Sequence, residues 1–308
     1  MSVASPTMDA SAPARPLPER LADWRALAKP KIAAMALVTV ALGFLAAGGF
    51  AEAGVLTLLH ACVGITLVAA SSGALNQYAE RDTDALMTRT RSRPLPAGRV
   101  SETEALLFGI VCGVAGANYL TFAVNPLTAL LALLTLALYV GVYTPLKRVS
   151  WWSTVVGAVP GALPPVLGWA AAGGGARPET FLTAAGLFGV LLLWQFPHFL
   201  AIAWLNREQY AAAGLHMLPG QIPRDGWTGK AAAVTAAALL PVGLVPTLGG
   251  GVGVWTGAAA TACGLVYFWY SVKFAREESR PHARAVLFAS LAYLPAVLLA
   301  AACEGVFA

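Results

Sequence analysis

The sequence predicts an all-α protein, a bundle of membrane-spanning helices. Three observations predict it. Of the 308 residues, 58% are hydrophobic and only 11% charged, whereas a soluble domain carries about a quarter charged residues. Apolar runs of roughly 17 or more residues, long enough to cross a bilayer, recur nine times. If all nine cross, nineteen of the twenty Lys and Arg residues fall on the side of the N-terminus, and Arg177 alone lies opposite. That split follows the excess of basic residues in cytoplasmic loops, and an error of one span would scramble it.

In chain order, residues 1–25 are rich in Ala, Ser and Pro and lack the apolar core of a signal peptide. They are expected to be a disordered cytoplasmic tail. The spans are expected at about 32–50, 54–77, 104–121, 125–143, 153–173, 180–203, 229–248, 252–272 and 284–303. Together they make one transmembrane domain over 26–304, with the N-terminus cytoplasmic and the C-terminus opposite. A bacterial inner membrane is the expected setting and a mitochondrial inner membrane the second choice. The net charge of +5 suits anionic lipid headgroups. No basic face interleaved with aromatics appears outside the spans, so nucleic acid is not an expected partner. Cys62, Cys112, Cys263 and Cys303 lie in apolar runs with no CxxC pair, which indicates neither a zinc site nor a disulfide framework.

Three polar stretches interrupt this pattern. The first is NQYAERDTDALMTRTRSRPLPAG, 76–98. Asn76, Glu80 and Asp84 recur every four residues and share one face of a helix, with Asp82 on the opposite side. Arg89, Arg91 and Arg93 follow, and Pro94 and Pro96 end any helix. Carboxylates at a helix C-terminus face the negative end of the dipole, at a cost of ~0.3–1 kcal/mol each, and so call for a cation. Acids on one face suit a divalent metal, and the arginines suit phosphate oxygens. A solvated basic loop would explain the arginines but not the acids.

The second stretch runs from Trp194 to Pro219. It carries Pro197, expected to kink its span, and His198 near membrane depth among Trp194, Phe196, Phe199 and Trp204. Arg207, Glu208, Tyr210 and His216 follow. A buried histidine is commonly a hydrogen-bonded structural group; ionisable residues inside a membrane point towards function. The third is YTPLKR, 143–148, whose Lys147 and Arg148 fit either phosphate binding or topology. After it, VGAVPGALPPVLGW, 156–169, combines small residues that permit close packing with prolines that free carbonyls at depth.

On these residues the chain resembles the UbiA superfamily of intramembrane prenyltransferases, and within it the heme-farnesylating branch. The superfamily motif NDxxDxxxD stands here as Asn76, Gln77, Glu80 and Asp84, with Gln and Glu replacing the first two acids. The block Met87, Arg89, Thr90, Arg93, Pro94, Leu95 and Gly98 also resembles that branch, as do YTPLKR, the 156–169 run and QFPHF…REQY. Where many relatives carry an Asp-Tyr pair, Gln209 precedes Tyr210, leaving Glu208 as the nearest carboxylate.

The resemblance implies a nine-helix bundle around a central cavity open to the cytoplasmic side. It implies transfer of the farnesyl group of farnesyl diphosphate to heme B, giving heme O and diphosphate, with a heme A synthase downstream. It implies Mg2+ held by Asn76, Glu80, Asp84 and Glu208. Diphosphate would be bound by Arg89, Arg93, Lys147 and Arg148, and heme contacted by His198, Arg207 and Tyr210. Two alternatives stay open: a UbiA-type enzyme with another aromatic or tetrapyrrole acceptor, and a secondary transporter for an anionic substrate, whose broken helices belong near the midplane.

Overall fold

The computed structural model describes residues 16–216 and 226–307, and among these every regular element is helical. Leu17–Ala28 (α1) and Pro30–Ala46 (α2) meet at Lys29 with a bend of 47°. Lys29 has φ 49°, a left-handed backbone, and the following Pro30 cannot continue a helix begun upstream of it. The long helix Gly54–Leu86 (α3) is followed by Glu102–Ala123 (α4), Pro126–Leu146 (α5), Ser153–Ala171 (α6) and Phe181–Leu205 (α7). After the short Arg207–Ala212 (α8) come Trp227–Leu248 (α9), Val254–Arg276 (α10) and Arg280–Phe307 (α11).

By length and composition seven of these helices can cross a membrane, and the bent pair α1–α2 makes eight. The remaining expected span, 252–272, corresponds to α10, which packs between α9 and α11. The bundle is apolar outside, with Phe122 86% exposed, as a protein solvated by lipid must be. Residues 16–25 correct one expectation: helix α1 stands where a disordered tail was anticipated. Composition hid two anchors. Leu27 is fully buried with Ala74 and Ala105, and Trp24 packs on Phe108 with ring centroids 5.1 Å apart. Of the expected tail, residues 1–15 lie outside the described residues.

Two half-bundles share the core. One joins Val40 and Phe44 of α2 to Ile65, Leu120, Ala132 and Leu167 on α3 to α6. The other joins Leu191 and Trp204 of α7 to Leu239, Tyr267, Phe274 and Tyr293 on α9 to α11. Small residues let backbones meet. A Cβ at Gly168 would overlap the Val40 carbonyl, and one at Gly43 the Pro165 carbonyl, so α2 and α6 cross at glycine. Pro197 sits inside α7, which continues helically through it.

Candidate active site

The polar residues of α3 collect at its C-terminal end, as their spacing predicts. Asn76, Glu80 and Asp84 are buried, while Asp82 on the opposite face has a side chain 73% exposed. Each of the three buried groups meets a cation from another part of the chain. Lys29 Nζ donates to Asn76 Oδ1 at 2.6 Å, Lys147 Nζ to Glu80 Oε1 at 2.8 Å, and Arg93 Nη1 to Asp84 Oδ2 at 2.5 Å.

Local structure explains how each cation arrives. The bend at Lys29 turns its side chain onto α3, and Gln77 Nε2 fixes that corner by donating to the Leu27 carbonyl at 3.1 Å. Gln77, which replaces the first motif acid, thus holds the chain rather than the cluster. The loop after α3 folds back because Thr90 Oγ1 donates to the Asp84 carbonyl at 2.9 Å and the Arg93 N–H to the Thr90 carbonyl at 2.9 Å. This puts Arg93 beneath Asp84. In α5, Ala137–Tyr143 is a π-helix. Pro145, just after it, lacks the N–H for an ordinary bond to the carbonyl four residues back and its ring crowds that carbonyl. The wide turn lets Thr144 Oγ1 donate to the Tyr139 carbonyl at 2.8 Å and accept from Asn76 Nδ2 at 3.1 Å. Lys147 then lies 4.4 Å over the Tyr143 ring. Burial opposes the charge of Lys147, which sits just past the span's end, but Tyr143 and Glu80 beside it hold its pKa above the ordinary lysine value.

The cluster therefore holds three cations and two carboxylates. Its oxygen donors, an amide and two carboxylates on one helical face, fit magnesium, which takes one or two carboxylates plus substrate phosphates rather than a full protein cage. The remaining anticipated residues sit around it. Arg148 Nη2 donates to the Ala79 carbonyl at 2.8 Å, tying α5 to α3, and Arg89 is exposed on the loop. His216 N donates to the Lys147 carbonyl at 2.9 Å, so the segment after α8 reaches the same end of the bundle.

The second stretch makes separate contacts. His198 Nδ1 lies 2.7 Å from Ser290 Oγ on α11, and its ring stacks on Trp194 with centroids 5.2 Å apart. The Arg207 guanidinium lies 4.2 Å over Trp204. Glu208 is 76% exposed and pairs with Arg207 at 3.5 Å. Tyr210 is half-buried on α8. Among the described residues no three His, Cys, Asp or Glu side chains gather closely enough to hold a metal, so Glu208 does not join Glu80 and Asp84 here. Sequence reasoning missed Lys29 and Thr144. The signal for Lys29 was a lysine directly before a proline at the mouth of a span; for Thr144, a hydroxyl beside Pro145 at the end of one.

Known proteins share this fold and resemble this sequence. The UbiA prenyltransferase family matches residues 36–294. A protoheme IX farnesyltransferase of Solibacter usitatus is 42% identical over 285 residues, covering 89% of this chain and 96% of that protein. One from Opitutus terrae is 40% identical over 292 residues, covering 94% and 96%. Among solved structures, a digeranylgeranylglyceryl phosphate synthase aligns with a TM-score of 0.78 at 18% identity, covering 94% of this chain and all of that one. A UbiA homolog from Archaeoglobus fulgidus bound to GPP and Mg2+ aligns at 0.63 and 18% identity, covering 91% and 99%. Those two show the fold; the family match and the sequence relatives show that this chain belongs to the UbiA prenyltransferase family.

Proposed function

We propose that this protein is a protoheme IX farnesyltransferase, moving the farnesyl group of farnesyl diphosphate onto a vinyl group of heme B. The observation that carries the chemistry is the buried row Asn76, Glu80 and Asp84, each already matched to Lys29, Lys147 or Arg93. The relatives' names supply the acceptor.

Farnesyl transfer begins with breakage of the allylic C–O bond, and the leaving diphosphate takes the electron pair. Preorganised cations at that oxygen cluster lower the barrier because charge develops there. Lys147 and Arg93 turn from the carboxylates to the phosphate oxygens, with Lys29, Arg89 and Arg148 at the rim. Asn76, Glu80 and Asp84 would hold magnesium, which when bound neutralises phosphate charge that the acids would otherwise repel. The farnesyl chain lies among the apolar helices, where water cannot quench the allylic cation, and Tyr139 and Tyr143 offer ring faces that stabilise it. The heme vinyl π pair forms the new C–C bond. Water then adds to the resulting cation and loses a proton, leaving a hydroxyethylfarnesyl substituent.

His198, with its ring oriented by Ser290, and Arg207 and Tyr210 are the proposed heme contacts. The basic end of the bundle faces the cytoplasm in this reading. The test is direct: membranes containing the protein, given heme B and farnesyl diphosphate, should yield a heme heavier by one hydrated farnesyl group. Consumption of farnesyl diphosphate onto some other acceptor, with heme B untouched, would overturn it.

A further inference from the structure

A second charged feature lies at the same end of the bundle but outside the acid cluster. The ends of α7, α9 and α10 enclose an open cleft of about 650 Å³, lined by Trp204, Arg207, Gly226, Lys230, Arg276 and Glu278. Among the described residues lining it are three cations and one carboxylate, and of the cations Arg207 is already paired with Glu208 at 3.5 Å. That carboxylate is committed to the wall: Glu278 Oε1 accepts from the Gly229 N–H at 2.7 Å, and Oε2 from Trp204 Nε1 at 3.2 Å. Arg207 is fixed against Trp204, donating from Nη1 to its carbonyl at 2.9 Å. Lys230 and Arg276 are exposed, and both border the cleft. A surplus of positive charge in a rigid polar recess calls for an anion.

The surfaces leading away from the cleft say what kind of anion. On α10, Val266, Trp269, Lys273 and Arg276 are all exposed and follow one another at helical spacing, forming one outward stripe. The stripe is apolar in mid-span and basic at the end, with Lys273 Nζ 5.1 Å from the Trp269 ring. On the adjacent α9, Trp227, Lys230 and Val234 form a second outward stripe, polar and aromatic at the cleft end and apolar towards mid-span. Along α10 the basic recess, aromatic collar and apolar track repeat the order of headgroup, interface and acyl chain in a phospholipid, and Val234 of α9 extends the apolar track beside it. A soluble anion would have no use for the apolar tracks, and basic pockets between spans on one face are a recognised mode of anionic lipid recognition.

We propose that this cleft seats the phosphate headgroup of an anionic phospholipid, with its acyl chains against the Val234 and Val266–Trp269 tracks. The full-length protein in mild detergent, titrated with phosphatidylglycerol and separately with phosphatidylcholine and read by native mass spectrometry, tests this. Phosphatidylglycerol should bind preferentially. The double substitution Lys230→Gln with Arg276→Gln should weaken that binding roughly 30-fold, while Lys230→Arg with Arg276→Lys retains it. Equal binding of the two lipids would overturn the proposal, as would an unchanged preference in the neutral variant. Displacement of the lipid by inorganic phosphate would overturn it in favour of a soluble anion, and displacement by heme B in favour of the tetrapyrrole. Should the neutral variant fail to fold, the wild-type comparison of the two lipids still decides.

Discussion

Replacing Glu80 by Gln removes one half of an ion pair that is largely shut off from solvent. The Glu80 and Lys147 side chains are 11% and 16% exposed, and Nζ lies 2.8 Å from Oε1. Removing one partner of a buried pair costs about 3–5 kcal/mol, because the other charge is left stranded. The residual exposure and the nearby Asp84 carboxylate argue for the lower end, about 3 kcal/mol. For a chain of this size each kcal/mol moves the melting temperature by about 2–4 °C, so Glu80→Gln should melt about 6–12 °C lower. Lys147→Met should fall similarly. The double variant, which strands no charge, should lose no more than either single, about 3 kcal/mol against a sum of about 6, giving a coupling of about 3 kcal/mol. Turnover should be lost in all three, since the pair serves catalysis only when both ends are charged. The assays are tryptophan-fluorescence melting in detergent and mass detection of the product heme. A double variant that melts at the sum of the single losses would refute the pairing. One that recovers activity along with stability would refute its role in the reaction.

Arg93→Ala should raise the KM for farnesyl diphosphate roughly ten- to a hundredfold, the worth of one charged hydrogen bond, and an unchanged KM would remove Arg93 from the phosphate. Asp82→Asn should leave turnover within twofold of wild type, because its side chain is exposed and its contact with Arg81, at 3.9 Å, is long; a dead variant would mean the working face of α3 is the other one. Ser290→Ala should free the His198 ring and raise the heme B concentration needed for half-maximal rate while sparing the KM for farnesyl diphosphate. If heme dependence is unmoved there and in His198→Ala, the imidazole serves packing alone.

The face of α3 was legible because it depends only on spacing within one helix: residues four apart must align. The cations that complete it were not, because they arrive from far along the chain. Lys29 stands 47 residues from Asn76 and Lys147 stands 67 from Glu80, and no local pattern encodes such a meeting. Lys29 entered the sequence reading only as a marker of orientation. The place of His198 within the apolar helix α7 was legible too, since a histidine in an apolar run announces itself. The direction in which it points was not, because the rotation of α7 is set by packing against α9 to α11, which turns His198 onto Ser290. The span count differs for a compositional reason. The run that forms α10 mixes Thr256, Gly257, Thr261 and Gly264 with its apolar residues, which lowers its hydropathy. Helix α1 escaped notice because Leu27, the partly buried Trp24 and the Asp23–Arg99 pair at 2.9 Å, not a periodic stripe, hold it.

Three cations against two carboxylates leave the cluster one positive charge in surplus, and both acids are engaged before any substrate arrives. A divalent cation approaching alone must displace Lys147 and Arg93 from their partners and strand them in a part-buried site. An arriving diphosphate offers those two side chains new oxygens, and only then are Glu80 and Asp84 released to a metal. Metal and diphosphate should therefore bind cooperatively, and by linkage each should tighten the other by the same factor. Titration calorimetry with the full-length protein should show weak Mg2+ binding alone and binding at least tenfold tighter with a non-hydrolysable farnesyl diphosphate analogue present. Glu80→Gln should abolish that difference. Equal Mg2+ affinity with and without the analogue would mean the acids are free for metal from the start, and the ion pairs would then be a resting arrangement with no part in admitting the substrate.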